Sequence, residues 1–92
     1  MAQVVVTLKI MPESPEIDLG KIEAGAKAKI IEFYNSKDIR ASQEPIAFGL
    51  KALKLIFVVD ESRGSTDALE SQIKTIQGVN SVEAIDVRRA IG

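Results

Sequence analysis

The ionisable side chains available for chemistry are thirteen Asp and Glu and twelve Lys and Arg, with no His and no Cys among 92 residues. Without His the commonest general base near neutral pH is missing, as is the commonest metal ligand. Without Cys there is no thiol nucleophile, disulfide or thiolate metal site. Ser-His-Asp, Cys-His and imidazole-zinc chemistry are therefore excluded. A carboxylate magnesium site is the remaining metal chemistry, but the acidic residues show no clustered ligand spacing. No metal or cofactor is expected. The adjacent pair Arg88-Arg89 is better suited to binding than to catalysis, because a guanidinium pairs well with acidic or phosphate groups. The ordinary reading of such a pair is solvated surface charge.

A second feature is "EPIAFGLKAL", residues 44–53. It is apolar like a core strand, yet Pro45 opens it and Gly49 interrupts it, and neither suits the middle of a strand. Phe48 is one of three Phe in a chain with a single Tyr. Pro45 restricts the backbone of Glu44, and Gly49 permits a turn geometry closed to other residues. Two readings follow. Phe48 is either an aromatic anchor pre-organised on a rigid turn, or it folds back over the edge of the core.

The elements that must position these features are legible from periodicity. Residues 3–11 alternate, with Val4, Val6, Leu8 and Ile10 on one face and Gln3, Thr7 and Lys9 on the other, the pattern of a half-buried strand. "PESPEID" breaks it, and Ser14 or Asp18 is placed to cap a helix. From Leu19 the spacing changes to Ile22, Ala26, Ile30 and Phe33, one helical face, with Glu23 and Lys27 paired on the polar side. A weak second strand is expected over 39–46. A strong third runs over 51–59, with Leu53, Leu55, Phe57 and Val59 facing inward. "DESRGST" is loop chemistry with Ser65 or Thr66 as N-cap. Ala68, Leu69, Ile73 and Ile76 make the buried stripe of a second helix, closed by Gly78 as a left-handed cap. A fourth strand is expected to end near Val87, leaving "RRAIG" as a tail.

The order is strand, helix, two strands, helix, strand: a ferredoxin-like α+β sandwich. Its sheet should be antiparallel in the order 4-1-3-2, with both helices on one face. Val5, Ile56 and Val58 would then lie on the open face, either as an interaction patch or through sheet propensity alone. The length suits one domain, and a net charge of −1 argues against a non-specific nucleic-acid binder. No apolar run reaches membrane-span length. The N-terminus lacks signal-peptide character, so a cytoplasmic location is expected. This fold hosts many functions. The first loop lacks the paired Cys of metal carriers and the anion-binding Arg of phosphatases. The strands lack the exposed aromatics that stack bases.

The strings "MPESPEIDL", "EPIAFGLKAL" and "AIDVRRAIG", in that order across nearly all of the chain, resemble archaeal elongation factor 1-beta, the exchange factor for elongation factor 1-alpha. The resemblance implies a single exchange domain over residues 1–92 with no covalent chemistry, no direct nucleic-acid contact and no membrane. Its partner would be elongation factor 1-alpha bound to GDP. By the same resemblance Pro45, Ile46, Phe48, Gly49, Leu50 and Lys51 would contact a β-barrel domain of that partner. The C-terminal end would reach the magnesium and phosphate region of its GTPase domain. Eukaryotic relatives carry a terminal Lys there. This chain has no Lys after position 74, so Arg88, Arg89 or Ile91 is the expected probe. The competing reading, of another class, is a ferredoxin-like domain for small-molecule sensing or subunit association.

Overall fold

The computed structural model describes residues 3–36, 38–63 and 66–89. Four strands form one antiparallel sheet in the order β2-β3-β1-β4. They are β1 (Gln3–Pro12), β2 (Arg40–Pro45), β3 (Lys51–Asp60) and β4 (Val79–Arg89), with helices α1 (Leu19–Tyr34) and α2 (Asp67–Lys74). A short 3₁₀ turn, Glu61–Arg63, leads from β3 towards α2. This is the ferredoxin-like arrangement expected from the order of periodicities.

Alternation sets which side of the sheet is covered. Val6, Leu8 and Ile10 of β1 and Leu53, Leu55, Phe57 and Val59 of β3 are buried. Across the ladder Val6 faces Phe57 and Leu8 faces Leu55, so the two central strands put their apolar sets on the same side. Leu19, Ile22, Ala26 and Ile30 of α1 and Leu69 and Ile73 of α2 close over them in one cluster. Each fully buried Leu, Ile or Phe contributes about 1.5–3 kcal/mol relative to exposure.

Helix α1 starts where the sequence places a cap: the Asp18 carboxylate accepts the Gly20 N–H at 2.9 Å. It stops at Asn35, whose left-handed backbone (φ 55°) lets its N–H reach the Ile31 carbonyl at 2.7 Å. The expected Glu23–Lys27 pair forms at 2.9 Å. Helix α2 differs from expectation in three respects. It ends at Lys74, so Ile76 lies beyond it and is only half-buried rather than part of its buried stripe. Ala68 is exposed, because it stands about 100° around the helix from Leu69, off the face on which Leu69 and Ile73 are buried. Gly78 is left-handed (φ 94°) but lies beyond the helix cap at Thr75. A side chain at Gly78 would meet Ile17 Cγ2 at 2.8 Å, so close approach of the first loop requires glycine there. The Gly78 carbonyl also accepts the Glu13 N–H at 2.8 Å.

The fourth strand is longer than its apolar pattern suggests. It pairs with β1 through Arg88 opposite Val5 and Arg89 opposite Val4, so both arginines belong to the sheet rather than to a tail. An irregularity between Thr7 and Leu8 skips Ile85, placing Asp86 opposite Thr7 and Ala84 opposite Leu8. One extra residue of this kind shifts the inward-facing phase of a strand.

Candidate protein-binding surfaces

Two groups of residues singled out in the sequence lie at opposite ends of the sheet. At one end β1 finishes at Pro12, near the β2–β3 turn. At the other, Val4 pairs with both Val59 and Arg89. The stretch of β1 from Val4 to Pro12 spans roughly 26 Å at the usual rise of a strand.

Pro45 is the last β2 residue in the ladder, opposite Lys51. Beyond it the Ile46 N–H donates to the Leu50 carbonyl at 2.9 Å, and the Leu50 N–H donates to the Ala47 carbonyl at 2.9 Å. Phe48 (φ 54°) and Gly49 (φ 80°) are both left-handed. This is the type I′ geometry that matches strand twist and favours Asn or Gly at its first central position. A bulky residue in that position is strained. Phe48 is nevertheless there, and it is 96% exposed. The reading in which its ring folds back over the core edge is therefore wrong. All six residues of β2 are exposed, so the tip extends from an edge strand. Glu44, opposite Ala52, is ion-paired diagonally across the ladder with Lys54, which stands opposite Ser42. The Lys54 ammonium, through its hydrogen bond and its charge, holds the Glu44 carboxyl below its ordinary value. Pro45, Ile46, Phe48, Gly49, Leu50 and Lys51 thus sit together on one turn. Between this turn and the first loop is a cleft of about 390 Å³, bordered by Pro15, Leu19, Gln43, Gly49 and Lys51.

At the other end, Arg88 Nε lies 2.9 Å from Asp86, and Arg89 is ion-paired with Glu61 of the 3₁₀ turn. The side chains of both arginines are largely exposed. Nearby, the Ser62 N–H donates to Asp60 at 2.9 Å and lowers the Asp60 pKa. Val4, Val6, Val59, Ala84 and Val87 on one side and Asp60, Glu61, Thr66, Asp67 and Glu70 on the other border a hollow of about 370 Å³ beside them. Ile91 lies outside the described residues. Val5, Ile56 and Val58 fall on the open face as expected and are half-buried.

No group of three or more carboxylates among the described residues is placed to hold a metal. No described helix is long and apolar enough to cross a membrane. The arrangement offers an exposed aromatic at one end and a charged strand terminus at the other, which is a geometry for binding.

The match to known proteins decides between the remaining readings. Residues 5–90 match the model of the EF-1 guanine nucleotide exchange domain. The chain belongs to this family. It is 44% identical to elongation factor 1-beta of Methanobrevibacter smithii, over 97% of this chain and 98% of that protein. It is 46% identical to that of Methanoregula boonei, over 95% of this chain and 96% of the relative. It is 42% identical to that of Staphylothermus marinus, over 97% and 98%. The BlrP1 BLUF structure superposes with a TM-score of 0.56 at 12% identity, covering all of this chain and 57% of that one. That likeness concerns the fold alone. Family membership makes the chain an exchange factor of translation elongation, and the ligand-sensing alternative is not favoured. Two residues beside these surfaces escaped the sequence reading. Pro15 lay in a motif already singled out, whereas nothing local connects Glu61 to an arginine 28 residues away.

Proposed function

We propose that this chain is a single exchange domain that binds GDP-loaded elongation factor 1-alpha at two points and loosens its hold on the nucleotide. The hairpin tip, Pro45, Ile46, Phe48, Gly49, Leu50 and Lys51, docks on a β-barrel domain of the partner with Phe48 as anchor. The end of β4, with Arg88, Arg89 and Ile91, acts near the magnesium and phosphate site. Neither point needs a reactive side chain, because no bond is made or broken. A GTPase holds GDP through phosphate-loop amides, a Lys and Mg²⁺. A factor that binds better when these elements are displaced weakens nucleotide binding, and nucleotide weakens factor binding by the same factor. Release is accelerated, and the cellular excess of GTP sets the direction. The reading requires no nucleic-acid contact, no membrane and no cofactor, and it places the protein in the cytoplasm with its partner.

The observation that carries this reading is Phe48, fully exposed in a backbone conformation unfavourable to it. Strain of this kind persists where the surroundings over-determine it, and it clusters at functional positions. The test is release of a fluorescent GDP analogue from purified elongation factor 1-alpha, with and without this chain. Release should accelerate with factor concentration and saturate. Unchanged release at concentrations where the two proteins bind would overturn the proposal.

A further inference from the structure

We propose that the free edge of β2 pairs with the same edge of a second copy of this chain, joining two sheets into one continuous sheet. β2 has a neighbour on one side only, β3, and all of its residues are exposed. An unpaired edge of this kind is a template for another strand. The backbone groups it offers follow from the hairpin. The Ile46 N–H donates to the Leu50 carbonyl on the other arm, so the Ile46 backbone turns toward that arm. Along an antiparallel strand, successive residues turn their backbone groups alternately to one side and the other, and the β2–β3 register is unbroken from Pro45 to Arg40. Glu44, Ser42 and Arg40 therefore bond to β3, whereas Pro45, Gln43 and Ala41 turn outward. Pro45 has no N–H to give, so the donors of the free edge are Ala41 and Gln43.

The order of charges along the edge selects a second copy as its occupant. A two-fold axis through Ser42 sets Ala41 of each copy opposite Gln43 of the other, and each such couple exchanges both of its N–H···O=C bonds. The same axis sets Arg40 of each copy opposite Glu44 of the other, an opposite-charge pair made reciprocally. Arg40 is exposed and has no ion-pair partner among the described residues. The Glu44 side chain keeps 48% of its exposure beside Lys54, which leaves acceptor capacity for a guanidinium. Moving the axis to Gln43 would set Ala41 against Pro45, which cannot donate, and Glu44 against Ser42. Moving it to Ala41 would set Arg40 against Ser42. Donors and charges thus specify the same register. Such an interface is small and polar, so the association is weak and reversible. It leaves β4, with Arg88 and Arg89, free at the opposite edge of the sheet.

The test is self-association of the chain alone, so its outcome is independent of the exchange reading. Sedimentation velocity over roughly 10 μM to 1 mM, the range of weak complexes, should show a monomer–dimer equilibrium. Amide hydrogen exchange should locate it. The Ala41 and Gln43 amides, turned outward in the monomer, should slow as concentration rises, with those of Val5 and Val58 unchanged. Arg40→Glu and Glu44→Arg each set like charges against each other across the axis, and each alone should associate at least about fivefold more weakly. Mixed in equal amounts, the two variants regain both opposite-charge pairs, and association should return to the wild-type level. A chain that stays monomeric throughout would overturn the proposal, as would Ala41 and Gln43 amides indifferent to concentration or single variants that associate like the wild type. Absence of recovery on mixing would also overturn it, provided that the Phe48 and Gly49 amide shifts in Glu44→Arg show the hairpin intact.

Discussion

The guanidinium of Arg89 is ion-paired with the carboxylate of Glu61, which joins the end of β4 to the turn that follows β3. Both side chains are substantially exposed, so the pair is of the kind worth about 0.2–1 kcal/mol. It holds a probe candidate in place at little cost to its release. If Arg89 engages the nucleotide site of the partner, it must first give up Glu61. Glu61→Gln should then strengthen productive binding by up to about fivefold, the equivalent of 1 kcal/mol. Titration of partner against exchange rate would check this. A weakened response would mean that Glu61 orients Arg89 rather than competing for it.

Arg88→Ala and Arg89→Ala should leave the fold intact, because backbone pairing with Val5 and Val4 does not depend on the side chains. Changes in melting temperature should be small, within about 0.5 kcal/mol of stability. Exchange at saturating factor should drop in at least one variant while binding through the hairpin persists. Deleting Ala90–Gly92 in parallel tests Ile91. Wild-type release rates from all three would remove this end of the sheet from the mechanism.

At Phe48 stability and binding should move in opposite directions. A left-handed bulky residue costs about 1–2 kcal/mol, and Asn at this turn position is favoured. Phe48→Asn should stabilise the domain by about 1 kcal/mol, a rise of about 4–8 °C in melting temperature for a domain of this size. The same substitution should weaken partner binding by about 2 kcal/mol or more, as loss of a hot-spot aromatic does. Calorimetry and partner titration on one sample would check both signs. A lower melting point with unchanged affinity would show that the ring serves the fold.

Much of this was legible in the sequence because it depends on local period. Leu55 and Phe57 of β3, Ile22 and Ile30 of α1, and the turn at Gly49 follow from spacing and residue type. The misses come from pairings that local pattern does not encode. Arg88 and Arg89 look like a charged tail, yet β4 continues because Val5 and Val4 of β1 offer backbone partners to the end. The skip at Ile85 exchanges faces mid-strand, so simple alternation fails between Ala84 and Val87. Ala68 was assigned inward, but one residue before Leu69 it stands about 100° around the helix, off the face that Leu69 and Ile73 bury. At the site, Gly49 announced the turn and Phe48 an apolar tip. The left-handed backbone of Phe48 and the Pro15 ring beside the turn are tertiary facts.

The core assignment has a direct energetic check. Leu55 is completely buried in the centre of β3, opposite Leu8. Leu55→Ala removes a side chain whose site cannot fully collapse, and should cost about 2–5 kcal/mol. Urea denaturation should show the midpoint falling with an unchanged slope. A loss below 1 kcal/mol would mean that this part of the core is less tightly packed than its burial indicates.

The Glu44–Lys54 pair gives the hairpin a pH dependence of defined sign. Lys54 lowers the Glu44 carboxyl from its ordinary 4.5 in the folded chain, while the unfolded chain keeps the ordinary value. A depressed carboxyl contributes stability that is present above the unfolded value. That contribution is lost as pH falls through the folded one. The hairpin should therefore be steady at neutral pH and weaken only below about pH 4.5. Asp60, also lowered, titrates in the same acid range, so whole-protein melting would mix the two. Amide shifts of Ser42 and Gln43 isolate the hairpin, since both precede Glu44 on β2 and pair with β3 at Lys54 and Leu53. In Glu44→Gln those shifts should become flat with pH between 3 and 6 (on the order of the acid range of a carboxylate), whereas the shift of the Ser62 amide, bonded to Asp60, should still move. Persistence of the wild-type titration at Ser42 in Glu44→Gln would assign the acid transition to another carboxylate and remove the Glu44–Lys54 pair as a stabiliser of the hairpin.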